Sequence, residues 1–359
     1  MTISTLAVVL VTPFAGLVSD RWGRKRIIVL STLLLALPTL LAATSANFAD
    51  LVFWRFCQGF LTPGVSAVTV VYINEEWLTG AGIAMSAYVS GTVLGGFVGR
   101  SLAAVAAAHF AWQWTFVVLG ALNVLGALAI WRWLSEERQI GCRDSEGMGS
   151  AMWRHLHNPQ LLATYVAGFC ILFSLLGTFT YINFYLSERP FGLSTGALGL
   201  IFVVYLVGAA FTPMAGPWID RLGHRVVFSG AMLLSIIGCL MTLAPNLAAV
   251  IGGLSAFCTG TFIAQSSASS FIGTATNDAK ASAVCLYTTA YYLGGSFGAA
   301  IPGITWSWGR WSACVGLMII ISLANIALVW FFLPKATSSK EEDMFDALDP
   351  EAIVYALDD

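Results

Sequence analysis

Apolar residues run along this chain in eleven long stretches, each bounded by charged or turn-forming residues. The stretches cover residues 2–18, 27–44, 51–73, 82–107, 115–134, 161–186, 196–216, 226–243, 247–272, 281–304 and 312–333. A helix needs about 20 mostly apolar residues to cross the roughly 30 Å hydrocarbon core of a bilayer. The pattern therefore predicts an all-α, multi-pass membrane protein with eleven transmembrane helices.

The composition agrees with this interpretation. Charged residues make up 10% of the 359 residues, and the residues AVILMFWYC make up 58%, whereas a soluble domain carries about 25% charged residues. The spans contain no phosphate-binding loop, no Ser-His-acid grouping and no cluster of metal ligands. We therefore expect a monomer surrounded by lipid, with no enzymatic activity, no cofactor, no metal and no nucleic-acid partner.

A polar segment at residues 135–159 separates five of the apolar stretches from the other six. We predict an N-terminal bundle at 1–134, a linker at 135–159, a C-terminal bundle at 160–333 and a tail at 334–359. The tail carries eight acidic side chains against two lysines, which is typical of a solvated segment.

Lysine and arginine set the predicted orientation, because short cytoplasmic loops are enriched in them. With the loop at 20–26 placed in the cytoplasm, 13 of the 17 basic residues fall on the cytoplasmic side. Arg189 and Arg310 fall outside, and Arg55 and Arg100 fall within spans. The linker and the tail are therefore predicted to be cytoplasmic.

An internal repeat lies at an offset of 200 residues, where 12–25 (TPFAGLVSDRWGRK) matches 212–225 (TPMAGPWIDRLGHR). A second match pairs Leu94-Gly95-Gly96 with Leu293-Gly294-Gly295 at an offset of 199. Two matches at nearly equal offset predict two parallel halves, as in many secondary transporters. The repeat ends the first span of one half but the second span of the other. We therefore expect that the first helix is missing, through a misplaced start or a deletion.

These motifs resemble those of the Major Facilitator Superfamily. The signature between helices two and three of that family is similar to Gly16, Asp20, Arg21, Gly23, Arg24 and Lys25, and its copy to Gly216, Asp220, Arg221, Gly223 and Arg225. Its helix-four RxxQG motif is similar to Arg55, Gln58 and Gly59. Its helix-five antiporter motif resembles Gly91, Gly95, Gly96 and Gly99, although Gly96 stands where proline is usual. The variant is similar to an arabinose-efflux-like branch of bacterial drug:proton antiporters.

The resemblance implies two helical bundles around a central cavity in a bacterial inner membrane. It implies alternating-access transport of a small organic solute, most simply export of a drug or sugar in exchange for protons. Uptake or facilitated diffusion of a sugar or organic anion is the alternative within transport. A non-transporting or inactive truncated membrane protein is the alternative outside transport.

Several residues have predicted roles. Asp20 is expected to pair with Arg24 or a neighbouring span and thereby hold one conformation, while Gly23 supplies a tight turn. The glycines at 91, 95 and 99 form one smooth helix face for close packing.

The two arginines within spans have separate predictions. Arg55 either snorkels to the interface or, by resemblance, lies in the central cavity. Arg100 is expected in the cavity, where it could bind an anionic or hydroxyl-rich solute. Tyr181, Asn183, Gln265 and Tyr291 are further cavity candidates, as are Tyr287 and Tyr292. No Asp or Glu lies inside a predicted span, which leaves a proton-carrying group unassigned.

Overall fold

A computed structural model describes residues 2–77, 80–109, 111–136, 148–276 and 279–334. Within those ranges the chain is helical and contains no strand, which confirms the predicted all-α class. The helices are α1 (Thr2–Trp22), α2 (Arg24–Ala42), α3 (Phe48–Glu76), α4 (Ala81–His109), α5 (Gln113–Trp133), α6 (Met148–Leu156), α7 (Pro159–Ser187), α8 (Thr195–Leu200), α9 (Val204–Leu222), α10 (His224–Met241), α11 (Leu247–Ala275), α12 (Lys280–Ala300) and α13 (Pro302–Phe332). The prediction of a solvated tail and much of the linker prediction lie outside the described residues.

Ten of the described helical segments are long and apolar enough to cross a membrane. They correspond to every predicted span except 281–304, which forms α12. Tyrosines, threonines and glycines interrupt the apolar residues of α12, because this helix lies inside the bundle, where polar side chains find partners. The structure is therefore that of a multi-pass membrane protein.

Two predicted boundaries are wrong, and one predicted span contains a 3₁₀ turn. Helix α3 continues past residue 73 to Glu76, so the expectation that no acid lies within a spanning helix fails at Glu75. Pro302 begins α13 rather than continuing the tenth span, and α13 is kinked at Gly309 and Arg310, where a loop was predicted. A 3₁₀ turn at Ile201–Val203 joins α8 to α9 within the predicted seventh span.

Local sequence explains where the helices begin and end. The side chains of Asn47, Asn158 and Asn246 accept backbone N–H bonds at the starts of α3, α7 and α11, as expected of N-caps. The breaks that follow α1 and α9 fall at Gly23 and Gly223, with φ of 92° and 80°. Glycine adopts this left-handed region without steric cost, as predicted for Gly23.

The helices before the linker pack on those after it mainly through α1 with α12 and α4 with α9, and also through contacts of α4 with α11 and of α3 with α11 and α12. Helix α12 also packs on α7, which places it near the centre of the bundle. Leu6, Leu10 and Phe14 project from one face of α1 with more than half of each side chain exposed. Such a face suits contact with lipid. We call the end of the bundle that carries Arg24 and His224 the basic side; it is the side predicted to face the cytoplasm.

Candidate functional site

A central cavity of about 360 Å³ lies between the helices that precede and follow the linker. Eighteen described residues from α3, α4, α7, α9, α11 and α12 line it: Ser66, Val70, Tyr88, Thr92, Val93, Gly96, Arg100, Leu172, Leu175, Leu176, Tyr205, Phe262, Gln265, Ser269, Tyr287, Thr288, Tyr291 and Tyr292. This size falls within the range of small-molecule sites. The cavity brings together the predicted residues Arg100, Gln265 and Tyr291.

Arg100 supplies the only charge among these lining residues. Its Nη1 donates to the carbonyl oxygen of Gly96 at 3.1 Å. The guanidinium carbon lies 5.2 Å from the ring centre of Phe202 and 5.4 Å from that of Tyr205, distances typical of cation–π contacts. Arg100 takes part in none of the ion pairs seen among the described residues. The positive charge is therefore held in place without a counter-charge.

Tyrosines form the end of the cavity nearer the basic side. The Tyr88 hydroxyl donates to the carbonyl oxygen of Ser66 at 3.2 Å, and the Tyr287 hydroxyl accepts from Ser269 Oγ at 3.3 Å. Tyr291 lies between its neighbours on α12, with ring centres 6.1 Å from Tyr287 and 5.6 Å from Tyr292. These contacts tie α4 to α3 and α12 to α11 around an aromatic wall.

On the basic side, Arg24 is the centre of a buried ion-pair network, which we call the first latch. Its side chain is 1% exposed. Nε and Nη2 donate to the two carboxylate oxygens of Glu75 at 3.0 and 2.8 Å, and Nη2 also lies 2.5 Å from Asp20 Oδ1. Nη1 donates to the Ser19 hydroxyl and to the carbonyl oxygen of Gly16. The predicted pairing of Asp20 with Arg24 is present, and it joins α1, α2 and α3.

The first latch lies against the start of α12. A Cβ atom built at Gly16 would stand 2.9 Å from Cys285 Sγ and 3.3 Å from the carbonyl oxygen of Ala281. Ordinary carbon contacts are longer than this, so only glycine allows α1 to approach α12 so closely. Cys285 is fully buried as a result.

The copy of the motif forms a second latch between α9 and α4. Asp220 Oδ1 accepts the backbone N–H of Gly82 at 2.9 Å. A Cβ at Gly216 would stand 2.6 Å from the Cα of Ile83 and 2.7 Å from Ser86 Oγ. Each half of the repeat therefore closes the basic side against the first turns of a helix from the other half.

The remaining residues of the two loops lie at their edges. Arg21 and Arg221 are exposed and Lys25 is half-buried. The guanidinium of Arg225 lies 4.0 Å from the ring centre of Trp330 on α13. These positions are suited to contact with solvent or headgroups rather than with the cavity.

The RxxQG motif lies on α3, and its residues Arg55, Gln58 and Gly59 are away from the cavity. Arg55 is exposed, with its guanidinium 5.0 Å from the ring centre of Phe116 and Nη1 3.3 Å from Gln58 Oε1. Gln58 Nε2 donates to Thr39 Oγ1 on α2 at 3.2 Å. Gly59 packs against the backbone of α1. The structure thus places Arg55 outside the central cavity to which the resemblance assigned it.

Two other cavity candidates also lie elsewhere. Tyr181 donates to the carbonyl oxygen of Ala299 at 3.3 Å and packs near Trp306 at the outer end of α13. Asn183 Nδ2 donates to the carbonyl oxygen of Phe179 within its own helix. Both side chains stabilise α7 and its neighbours and do not line the described cavity.

The glycine face of α4 does not make the close packing that we predicted. Cβ atoms built at Gly91 and Gly95 would meet nothing within 4 Å. On α12, by contrast, Gly294 and Gly298 pack directly on the backbone of α7 at Phe169 and Phe173. The repeated glycines therefore have a helix partner in one half and none among the described residues of the other.

Sequence reasoning missed Glu75, Tyr88 and Tyr205. Glu75 follows the apolar stretch of α3 directly, and an acid at that position could have been paired with the basic loop at 20–26. Asn74 was missed as well: its Nδ2 donates to the carbonyl oxygen of Ser269 on α11 at 3.1 Å and joins the two halves on the basic side. No sequence signal distinguishes Tyr88 or Tyr205 from a packing residue.

A bundle of membrane-spanning helices with a central cavity and repeated latches is the architecture of a membrane transporter. The model of the Major Facilitator Superfamily matches the chain twice, over residues 1–202 and 188–353. The chain belongs to this family.

Relatives and a solved structure agree. An uncharacterized transporter of Buchnera aphidicola subsp. Schizaphis graminum is 34% identical over 320 residues, which cover 88% of this chain and 78% of that protein. The inner membrane transport protein YnfM of Escherichia coli K12 is 31% identical over 334 residues, covering 90% and 79%. The crystal structure of the human organic anion transporter MFSD10 has a TM-score of 0.76 at 19% identity and covers 91% of this chain and 83% of that one; it supports the fold alone.

Proposed function

We propose that this protein carries a small organic solute by alternating access, with the central cavity as its binding site. The two latches are the observation that carries this proposal. They lie on the basic side where α1 packs on α12 and α4 packs on α9, two of the helix pairs that join the halves. A transporter that opens to that side must separate both pairs. The proposal requires that closing contacts be breakable, as hydrogen bonds and ion pairs are when water and headgroups can replace them.

Two forms of coupling have separate support. The resemblance of the α4 glycines to the antiporter motif favours export in exchange for protons. The lining favours facilitated diffusion, because the described lining residues include no Asp, Glu or His that could carry a proton through the cavity. Counterflow in vesicles with and without a pH gradient separates the two. A flux that responds to the gradient supports proton exchange, and an indifferent flux supports a facilitator.

Alternating access is tested by locking the first latch. The Cβ built at Gly16 stands 2.9 Å from Cys285 Sγ, and a disulfide places a Cβ about 3 Å from the partner sulfur. In a variant whose other native cysteines are replaced, Gly16→Cys should therefore cross-link to Cys285 under copper phenanthroline. Proteoliposomes would be tested with labelled glucose, choline and benzenesulfonate.

We expect that oxidation stops the transport of any carried probe and that dithiothreitol restores it. The matched control carries Cys285 with native Gly16, and oxidant should leave its transport unchanged. Transport that continues at full rate in the cross-linked protein contradicts alternating access at this gate. A protein that moves none of the three probes, and whose Cys285 stays unreactive to N-ethylmaleimide under every condition, contradicts the transport proposal.

A further inference from the structure

The cavity combines one fixed positive charge with an aromatic wall, and this combination defines a ligand class. We propose, resting on the transport function above, that the solute is an organic monoanion with a single aromatic ring. The anionic group binds Arg100, and the ring packs against the tyrosines of α12.

Most hydrogen-bond donors of Arg100 have no partner among the described residues. A guanidinium has five N–H donors, and one of them is used, toward Gly96. An arginine on a membrane-spanning helix is costly unless it faces a cavity or has a partner. Since no described lining residue is acidic, a ligand carboxylate or sulfonate would supply the partner. One fixed cation selects one negative charge, and it disfavours cationic solutes.

The serine and threonine hydroxyls of the lining argue against a sugar. Thr92 and Thr288 donate to carbonyl oxygens of their own helices at 2.7 and 2.9 Å, as Ser66 does at 3.1 Å. Ser269 donates to the hydroxyl of Tyr287. A polyhydroxylated solute needs many free donors and acceptors, because each unpaired polar group costs binding energy. Here the four Ser and Thr hydroxyl protons are already used.

Aromatic rings form the rest of the wall. Six of the eighteen lining residues are aromatic: Tyr88, Tyr205, Phe262, Tyr287, Tyr291 and Tyr292. An aromatic pair contributes binding energy beyond the area that it buries. A ligand ring would extend the stack of Tyr287 and Tyr291, whereas a saturated ring would gain the burial without the pair energy.

The spacing suits one ring on a short chain. Because Arg100 turns back to the carbonyl of Gly96, its guanidinium lies at the level of that residue. Tyr88 lies eight residues nearer the start of α4, which corresponds to about 12 Å of helix axis. A carboxylate joined to a phenyl ring by one or two carbons fits within this distance.

The test is a binding series on the purified full-length chain, measured by isothermal titration calorimetry. Phenylacetate is compared with phenylacetamide, which lacks the charge, with cyclohexylacetate, which lacks the aromatic ring, and with glucose. Hydrogen bonds to charged groups contribute about 1.5–3 kcal/mol, so phenylacetate should bind roughly 10- to 150-fold more tightly than phenylacetamide. Cyclohexylacetate should bind several-fold more weakly than phenylacetate, and glucose should not compete.

The variants assign the effect to residues. Arg100→Gln should remove the preference for phenylacetate over phenylacetamide, and Arg100→Lys should keep it. Tyr291→Leu should remove the preference for the aromatic ring. Arg55→Gln is the matched control, because Arg55 is an arginine on a spanning helix that lies outside the cavity, and it should bind like the native protein.

Equal affinity for phenylacetate and phenylacetamide, or an Arg100→Gln variant that keeps the preference, overturns the proposal. Tighter binding of glucose than of phenylacetate does so as well. These results leave the transport function standing wherever the Gly16→Cys cross-link still stops transport of a probe, so the two failures are distinguishable.

Discussion

Glu75→Gln is the sharpest perturbation of the first latch. Glutamine keeps the length of the side chain and one oxygen acceptor, but it removes the negative charge that faces Arg24. Arg24 then keeps Asp20 as an acidic partner. Since Arg24 is 1% exposed, water cannot replace the lost charge while the latch is closed.

The free-energy cost of Glu75→Gln follows from the burial of the ion pair with Arg24. Removing one partner of a buried ion pair costs about 3–5 kcal/mol. The lower figure applies here because Asp20 remains and because Glu75 is a quarter exposed. The network joins three helices of one half, so it affects opening through the position of α1 against α12. A loss of about 3 kcal/mol that fell wholly on the closed state would raise the ratio of open to closed molecules roughly 150-fold. Some of this loss also lowers the stability of the fold, which makes the factor an upper bound.

Cys285 reports the opening directly. It is fully buried beneath Gly16 when the latch is closed, and thiols react only when reagent can reach them. We would replace the other six cysteines and measure the rate of alkylation by N-ethylmaleimide in membranes from the mass of the protein. The Glu75→Gln variant should react tens of times faster than its parent.

Asp50→Asn is the matched control, because it removes the same charge from the other end of the same helix. Asp50 lies in the first turn of α3, far from Arg24 along the helix. Its variant should react at the parental rate. Equal alkylation rates for Glu75→Gln and the parent, in folded protein of unchanged melting temperature, would refute the assignment of Arg24 and Glu75 to a gate.

Three further predictions concern other parts of the fold. Asp220→Asn weakens the charge-assisted bond to α4 by about 1 kcal/mol, so a cysteine at Ser86 should be alkylated several times faster than in the parent; an unchanged rate contradicts the second latch. Gly294→Ala places a Cβ 2.0 Å from a backbone oxygen of α7, and overpacking costs about 1–3 kcal/mol, so its melting temperature should fall. Gly95→Ala meets nothing within 4 Å and should not lower it; equal losses would contradict the open face of α4. Glu188→Gln breaks an exposed pair with α13 and should change stability by less than about 1 kcal/mol; a larger loss in thermal unfolding would show that this pair stabilises the kink.

The helices could be predicted from the sequence because a bilayer allows few alternatives. Backbone polar groups must be satisfied internally in hydrocarbon, so an apolar stretch of sufficient length becomes a helix. The helix ends are less determined: Glu75 was placed outside its span because an acid is costly in lipid. The structure keeps it in α3 by supplying Arg24 from another helix, and a partner so distant in sequence cannot be read from composition.

The latches could be predicted from the sequence, but most of the cavity could not. A polar motif that recurs at an offset of 200 residues is not needed merely to connect two apolar helices, so its recurrence indicates a specific structural role. Arg55 and Arg100 both interrupt apolar helices and cannot be told apart by such reasoning. Their surroundings separate them: Arg55 contacts Phe116 at the periphery, and Arg100 contacts Phe202 and Tyr205 at the cavity. Which face of a helix is interior depends on all its neighbours.

The two latches share a motif but not a means of closure. The position of Arg24 in the repeat is held by His224, whose Nδ1 lies 3.1 Å from the carbonyl oxygen of Ser267. The second latch therefore has no buried arginine network, and its closure depends on backbone contact, since the neighbour of Gly216 is the Cα of Ile83. At Gly16 the nearest neighbour is a cysteine side chain, which can move. A methyl group at Gly216 should consequently open the basic side more than one at Gly16, whereas charge removal should act mainly on the first latch. Both copies of the motif thus bring a glycine of one half against a helix of the other half. Ion pairs stabilise the first latch, whereas close backbone packing stabilises the second.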